Sequence, residues 1–396
     1  MITRSCFKQT CQQIVFACTL DAEMAFDGIP HSVLLHKAIG IVPDPWWCVL
    51  FSWYKHLKVK IKWKNTMSEC FNIEKGTRQG GLTSPFLFNI FYQDLVTALS
   101  NTSGGIRIND CPYNVIAYAD DLLLLSTTAS GLQHLINCAN DHINKHGLRF
   151  NSDKTYCITF GKQYLTPSPD WYLQNNLLRC EESIEYLGAV LSNSASYHKD
   201  KRIKSCRNGY YKLQSAGLHK NGAKPNIVSY LWKAALQPIL LYANECHSFK
   251  IHEVLEMDKL QSKLLKSSLG LSKFLRSTPL MNAMNINSVL RMNDHNSLKL
   301  MKSILCSSSS CKDFYFYLWR TQNDNRTTLL ARNSRICDKY NLALVRYLLD
   351  DSYSQQCRKL FKPVIVGDGL VDSLKTLFVD FNDNDQYMTK LLLSAF

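Results

Sequence analysis

The sequence lacks any long hydrophobic run. No stretch approaches the ~18 consecutive apolar residues that a membrane-spanning helix requires. The first apolar stretch, residues 14–18, runs directly into acidic residues, which is typical of a buried strand and not of a secretory signal. We therefore expect no membrane partner and no secretion.

Clusters of cysteine and histidine with metal-ligand spacing are also missing. The 15 cysteines are odd in number and scattered, and Cys18, Cys48, Cys138 and Cys157 lie in apolar runs. This usage predicts reduced, buried thiols in a cytoplasmic or nuclear protein. Residues 306 and 311 are cysteines spaced as in a zinc pair, but no histidine follows them to complete a Cys/His knuckle.

Acidic residues are too few to balance the basic ones. The 396 residues include 46 Lys and Arg against 32 Asp and Glu, giving a formal net charge of +14. This imbalance favours a polyanionic partner, most often nucleic acid. A chain of this length, 46% hydrophobic, predicts a folded protein of two or three domains.

Two adjacent carboxylates, Asp120 and Asp121, lie between segments typical of buried strands. Residues 114–118 precede them, and four leucines at 122–125 follow. Since strand neighbours point to opposite faces, we expect these acids at the tip of a hairpin. Acids are rarely tolerated in a core unless they are paired or bound to metal. On these residues alone, a solvated turn explains the pattern equally well.

Apolar periodicity predicts the elements around this hairpin. A strand over 14–20 ends at Asp21, and Asp27 is a candidate cap for the helix that follows. Further predicted elements are a helix over 45–57, a glycine-rich loop over 75–85, helices over 86–99 and 129–146, strands over 156–160 and 186–191, and long helices from about residue 196.

Basic residues recur at regular spacing in residues 58–64 and in two of the predicted C-terminal helices. Residues 58–64 alternate strictly, which predicts one half-exposed strand with lysines opposite Val59, Ile61 and Trp63. A nucleic-acid cradle and an ordinary solvated face are both open interpretations. The same alternatives apply to the helical basic residues Lys201, Lys204, Arg207, Lys212, Lys259, Lys263 and Lys266.

Four stretches, taken in order, resemble the reverse transcriptases of LINE-type, non-LTR retrotransposons. They are residues 20–27 (LDAEMAFD), 78–85 (RQGGLTSP), 117–121 (AYADD) and 147–155 (GLRFNSDKT). Tyr186, Leu187 and Gly188 look like the primer-grip strand of that family. Order and spacing agree as well as composition, so the resemblance over residues 10–200 is specific.

The resemblance implies an α+β fold. It implies a polymerase right-hand palm, a small antiparallel sheet backed by helices, over residues 1–195. A helical thumb would follow over 196–285, and a C-terminal helical region of unknown role over 286–396. Only 20 residues precede Asp21, so we expect a chain truncated at its N-terminus that lacks the fingers.

The resemblance also implies a chemistry, RNA-directed DNA synthesis from an RNA template, a DNA primer and dNTPs. Asp21, Asp120 and Asp121 would hold two Mg²⁺ ions, with Mn²⁺ as a substitute. Lys154 would act as general acid at the leaving pyrophosphate. Substrate contacts would come from Phe26, Arg78, Gln79, Gly80 and Tyr118.

One residue assignment and the assignment of the whole chain each keep an alternative. Phe26 matches the bulky residue beneath the sugar, but a ring at this position is also typical of a core aromatic. For the chain as a whole, the alternative is a catalytically inactive, fingerless remnant that only binds nucleic acid through its basic faces. The sequence does not indicate the oligomeric state.

Overall fold

The computed structural model describes residues 14–77, 80–108, 111–161, 169–219, 222–306 and 329–340. The chain divides into two compact units, an N-terminal unit of residues 12–188 and a C-terminal unit that contains residues 189–396. A small sheet and many helices give the mixed α+β class that the sequence predicts. The domain limits at residues 195 and 285 stay predictions.

The strands are β1 Val15–Leu20, β2 Lys58–Val59, β3 Lys62–Trp63, β4 Thr66–Met67, β5 Phe71–Asn72, β6 Arg107–Ile108, β7 Cys111–Pro112, β8 Val115–Tyr118, β9 Asp121–Ser126, β10 Tyr156–Phe160, β11 Tyr172–Leu173, β12 Asn176–Leu177, β13 Arg179–Cys180, β14 Ser183–Tyr186 and β15 Ala189–Ser192. The α-helices are α1 His31–Lys37, α2 Asp44–Lys55, α3 Ser84–Asn101, α4 Ala129–Asn144, α5 Ala195–Ser215, α6 Pro225–Leu231, α7 Gln237–Leu241, α8 Ile251–Ser268, α9 Ser277–Ala283, α10 Val289–Cys306 and α11 Leu329–Lys339. None of these described helices is long and apolar enough to cross a membrane.

The N-terminal unit is built on a five-stranded sheet. Its strand order is β13-β10-β1-β9-β8, and every neighbouring pair is antiparallel except β10 with β13. Strand β1 has two paired edges and is buried on both faces, which explains its almost unbroken apolar sequence.

Helices cover one face of this sheet. Phe16, Cys18 and Leu20 of β1 point to the same side, because side chains alternate along a strand, and they join the buried cluster formed with helices α1, α3 and α4. The Thr128 side chain accepts a hydrogen bond from the Gly131 N–H at 3.1 Å and so caps α4. The predicted apolar stripe of α4 is buried, at Leu132, Leu135, Ile136, Ala139 and Ile143.

The C-terminal unit is mainly helical. Trp232 is buried with Tyr210 and Met257, and its indole N–H donates to Gln261 Oε1 at 3.1 Å, so this large side chain leaves no polar atom unsatisfied. Lys266 is buried in α8 and donates to the carbonyl oxygens of Lys273 and Leu275. The prediction of a basic face that includes Lys266 is therefore wrong, whereas Lys259 and Lys263 are exposed.

Several local predictions are wrong. Cys48 is exposed, whereas Cys18 and Cys157 are buried as predicted and Cys138 is half-buried. Asp27 does not cap α1, whose N-cap is Pro30 with no side-chain hydrogen bond. The side chains of residues 306 and 311 lie outside the part of the chain that is described.

Two predicted strands are each divided. Residues 58–64 contribute two separate two-residue strands, β2 and β3, and their apolar positions are not buried. The strand predicted over 186–191 is interrupted because Leu187 (φ 49°) and Gly188 (φ 74°) lie in the left-handed region, where a strand cannot continue.

A fully buried histidine, His198, forms part of the C-terminal unit. Its Nδ1 accepts the Val190 N–H at 3.2 Å, and its Nε2 lies 2.9 Å from the Tyr242 carbonyl oxygen, which requires a proton on Nε2. The ring is therefore neutral. Burial, reinforced by the nearby charges of Arg202 and Lys201, lowers the pKa of His198 to about 4 against the opposing hydrogen bond to Tyr242.

This lowered pKa predicts a loss of stability in mild acid. The unfolded chain binds a proton at His198 near pH 6.5 and the folded chain only near pH 4, so stability is complete above pH 6.5 and falls between these values. A shift of this size is worth on the order of 3 kcal/mol. We expect calorimetry to show a melting temperature that drops across this range, and a shallower drop in His198→Asn.

His219→Asn is the matched control, because His219 is exposed. It should keep the pH dependence of the wild-type chain. If the melting temperature of His198→Asn falls with pH as steeply as that of the wild-type chain, the role given to His198 is contradicted.

Candidate active site

The register of two neighbouring strands brings the predicted acids together. Leu20 of β1 pairs with Leu122 of β9, so Asp21 and Asp121, one step further, lie opposite each other. In the β8–β9 hairpin Tyr118 pairs with Asp121, which leaves Ala119 and Asp120 as a two-residue loop. All three carboxylates therefore lie at the same end of the sheet.

Asp21 and Asp121 continue one face of the sheet. By alternation they follow the row of Thr19 and Leu123, which is opposite the face covered by helices. Burial raises the pKa of the Asp121 carboxyl, and the charges of Asp120 and Asp21 raise it further. The three acids are thus close enough to repel one another.

The hairpin tip holds an unfavourable backbone conformation. Ala119 has φ 52°, in the left-handed region that favours glycine and costs an ordinary residue roughly 1–2 kcal/mol. Positive φ at the first loop position matches the twist of a two-residue hairpin. The loop therefore positions Asp120 within a tight turn.

Backbone hydrogen bonds hold the segment containing Lys154 against the chain at the end of β1. The Asn151 N–H donates to the Asp21 carbonyl oxygen at 2.8 Å, and the Glu23 N–H donates to the Arg149 carbonyl oxygen at 2.9 Å. Lys154 Nζ lies 3.7 Å from Asp21 Oδ2. The Lys154 side chain is 68% exposed, so this ion pair contributes little to stability and the ammonium group stays accessible.

The glycine-rich loop begins against the chain that follows β1. The Thr77 N–H donates to the Phe26 carbonyl oxygen at 2.8 Å, and the Gly76 N–H donates to that of Ile29 at 2.8 Å. Gly76 has φ 98°, and a Cβ there would come within 3.2 Å of Asp27 Cα, so only glycine fits this approach. Gly80 also has positive φ, at 80°. Arg78 and Gln79 lie outside the described residues.

A ladder of aromatic rings runs from Phe26 to Tyr92. Phe26 stacks on Phe88 with ring centroids 4.3 Å apart, and Phe88 stacks on Tyr92 at 4.4 Å. Burial raises the pKa of the Tyr92 hydroxyl, and the charge of Asp120 raises it further. Phe26 is half-buried, so its ring is neither fully in the core nor free.

Sequence reasoning missed Phe88 and Tyr92, because their spacing on α3 is that of any core stripe. It also missed what the Tyr186 side chain does. Its hydroxyl donates to the Ile116 carbonyl oxygen at 3.0 Å and lies 3.4 Å from that of Asp121. Tyr186 therefore braces the hairpin that carries the acids.

The other predicted site residues have simpler surroundings. The Tyr118 ring is 66% exposed beside the hairpin tip. Leu187 and Gly188 form the turn after β14. Among the residues that the structure describes, no three His, Cys, Asp or Glu side chains form a group that could hold a metal ion.

Known proteins resemble this chain over the region that carries the site. The model of the family "Reverse transcriptase (RNA-dependent DNA polymerase)" matches residues 3–191. The RNA-directed DNA polymerase from mobile element jockey of Drosophila melanogaster is 24% identical over 271 residues, covering 65% of this chain and 29% of that protein. The Pol polyprotein from retrotransposable element R2 of Popillia japonica is 25% identical over 257 residues, covering 61% of this chain and 40% of that protein.

This chain thus spans less than half the length of these relatives. Among solved structures, apo telomerase from Candida tropicalis has a TM-score of 0.36 at 12% identity, covering 96% of this chain and 52% of that chain. This structural likeness is too weak to support an argument. The match to the family model is more informative, since residues 3–191 include every stretch that carries the acids. The chain carries a reverse transcriptase (RNA-dependent DNA polymerase) domain over residues 3–191, and the relatives it resembles are the reverse transcriptases of the non-LTR retrotransposons jockey and R2.

Proposed function

We propose that this chain catalyses RNA-directed DNA synthesis, with Asp21, Asp120 and Asp121 as its catalytic acids. The observation that carries the proposal is the β1–β9 register, which brings Asp21 opposite Asp121 and next to the hairpin loop with Asp120. In this proposal the sheet unit is the palm of a polymerase, and the helices over residues 196–285 are its thumb.

The proposed reaction joins a DNA primer to a nucleotide. The primer 3′-oxygen forms a bond to the α-phosphorus of a dNTP, its proton passes to solvent water, and the bond from the α-phosphorus to the pyrophosphate breaks. Lys154 gives a proton to the departing pyrophosphate. Its exposed ammonium group, 3.7 Å from Asp21, supports this role.

Asp21, Asp120 and Asp121 do not form a complete metal-binding group by themselves, but carboxylates are the ligand type that Mg²⁺ prefers, with Mn²⁺ as a substitute. Mg²⁺ is usually bound by one or two carboxylates, with waters and substrate phosphates completing the octahedron, so a closed protein cage is not required. The raised pKa of Asp121 marks the crowded negative charge that a cation would relieve. Two such ions would activate the attacking oxygen and stabilise the leaving one.

The remaining assigned residues would contact substrates. The ring of Phe26, held by Phe88, would lie beneath the sugar and exclude a 2′-hydroxyl. Arg78, Gln79 and Gly80 would contact the nucleotide and the template, beside Tyr118. Tyr186, Leu187 and Gly188 would hold the primer, and the contact of Tyr186 with the acid-bearing hairpin supports this assignment.

Primer extension tests the catalytic claim. On poly(rA)/oligo(dT) with dTTP and Mg²⁺, we expect incorporation by the wild-type chain and a loss of about 100-fold or more in Asp120→Asn, because a ligand of the reacting centre is removed. Asp141→Asn, an exposed acid on α4, is the matched control and should retain activity. Absence of incorporation by the wild-type chain with either cation, or equal incorporation by Asp120→Asn, would refute the proposal; RNA binding without synthesis would favour the binding-only alternative.

Thermal unfolding tests the cation site without activity. Because the folded state raises the pKa of Asp121, the repulsion on its carboxylate grows as pH rises through that pKa. In EDTA at pH 7, we expect Asp120→Asn to melt about 1–3 °C above the wild-type chain, and Mg²⁺ to stabilise the wild-type chain more than the variant. Asp141→Asn should change neither value. A variant that melts no higher than the wild-type chain, with the same response to Mg²⁺, would count against a shared cation site.

Nucleotide selection tests Phe26. We expect Phe26→Val to raise the ratio of rUTP to dTTP incorporation by about 10-fold or more, because a smaller side chain admits the 2′-hydroxyl. The ratio is measured within one preparation, so partial misfolding does not change it. Phe51→Val, on the exposed part of α2, should keep the wild-type ratio. If both variants keep it, Phe26 is only a packing residue.

A further inference from the structure

Residues 58–72 form one long hairpin, here called the lysine hairpin. Lys58 pairs with Asn72 at its base, and Trp63 pairs with Thr66 at its tip. Between these pairs the Ser68 N–H donates to the Ile61 carbonyl oxygen at 2.9 Å, which joins the two short ladders. Lys64, with φ 54°, begins the two-residue loop at the tip.

Both faces of the lysine hairpin are exposed. Alternation puts Lys58, Lys60 and Lys62 on one face, and all three are exposed. On the other face, Ile61 is 59%, Trp63 74% and Phe71 46% exposed. Within the described residues, nothing covers this apolar face as a core would.

Charge identifies what fits this surface. The lysine hairpin contains four lysines and one acid, Glu69. Lysine is depleted in protein–protein interfaces, which makes a protein partner the poorer fit. Exposed aromatic rings among cations are typical of surfaces that bind single-stranded nucleic acid, where bases stack on rings and phosphates meet lysines.

We propose that the lysine hairpin is a binding platform for single-stranded RNA, with Trp63 as its stacking residue and Lys60 and Lys62 as its phosphate contacts. The proposal rests on the proposed function in naming the RNA strand as the template. It adds a site whose residues are separate from the three acids and from the glycine-rich loop. Its recognition is independent of base identity, because every base offers a face for stacking.

Fluorescence anisotropy of a labelled 16-nucleotide oligo(rU) with the full chain tests this platform, without dNTP or divalent cation. We expect Trp63→Ala to weaken binding by about 5- to 100-fold, through loss of stacking. Trp63→Phe should retain most of the affinity, because it keeps a ring. Trp46→Ala, which removes a ring that is 67% exposed on α2, should bind as the wild-type chain does.

Salt dependence tests the lysines. Lys62→Gln should reduce the slope of log Kd against log salt by about 0.7, the value for one phosphate contact on a single strand. Lys145→Gln, an exposed lysine at the end of α4, should leave the slope unchanged. Melting curves of each variant check that the fold is kept.

The outcomes separate this proposal from the proposed function. Asp120→Asn should bind oligo(rU) as the wild-type chain does. Failure of primer extension alone would therefore contradict the proposed function and not the proposed RNA-binding platform. Equal affinity of Trp63→Ala and Trp46→Ala would overturn the platform even if extension succeeds. Loss of self-association in Trp63→Ala, measured by sedimentation, with unchanged RNA affinity would assign the face to a protein partner instead.

Discussion

The antiparallel pairing of β1 with β9 is the constraint on which the site depends. A shift of one residue in this register would send every side chain of one strand to the opposite face. Phe16, Cys18 and Leu20 must face the helices, so the burial of these side chains fixes the register. The position of Asp21 opposite Asp121 is then a consequence of core packing several residues away.

The three acids and the hairpin turn make this end of the sheet less stable than the apolar part of the sheet. Asp121 has a raised pKa because it is partly desolvated and lies near two other acids, and Ala119 holds a left-handed conformation. The ion pair between Asp21 and Lys154 is largely exposed and weak. The buried apolar residues of the sheet offset the unfavourable charge repulsion and backbone strain at this site. Such locally unfavourable groups within a stable scaffold are typical of functional sites.

The main elements of the N-terminal unit could be predicted from apolar periodicity. Strand β1, the β8–β9 hairpin, and helices α3 and α4 all have the patterns of elements that bury a face against one core. The convergence of the acids was implied by the family resemblance, because a position next to a buried strand places each acid at a strand end but does not say which strands are neighbours. The contact by which Tyr186 braces the hairpin could not be predicted from the sequence, because it joins residues 70 positions apart and has no periodic signal.

Some predictions failed because the periodicity of a sequence does not determine whether its side chains are buried. Alternation over residues 58–64 correctly indicates strand at Lys58–Val59 and Lys62–Trp63, but it does not say whether anything covers the apolar side, and Trp63 is largely exposed. Lysine spacing on α8 likewise gives the direction of Lys266 but not its surroundings, and its stem is buried with its ammonium group held by two carbonyl oxygens. A sequence period reports the geometry of one element, whereas burial depends on neighbours that the period does not specify. The exposed apolar face of the lysine hairpin therefore carries information that periodicity cannot supply, and it points to a ligand that stacks on rings and carries negative charge.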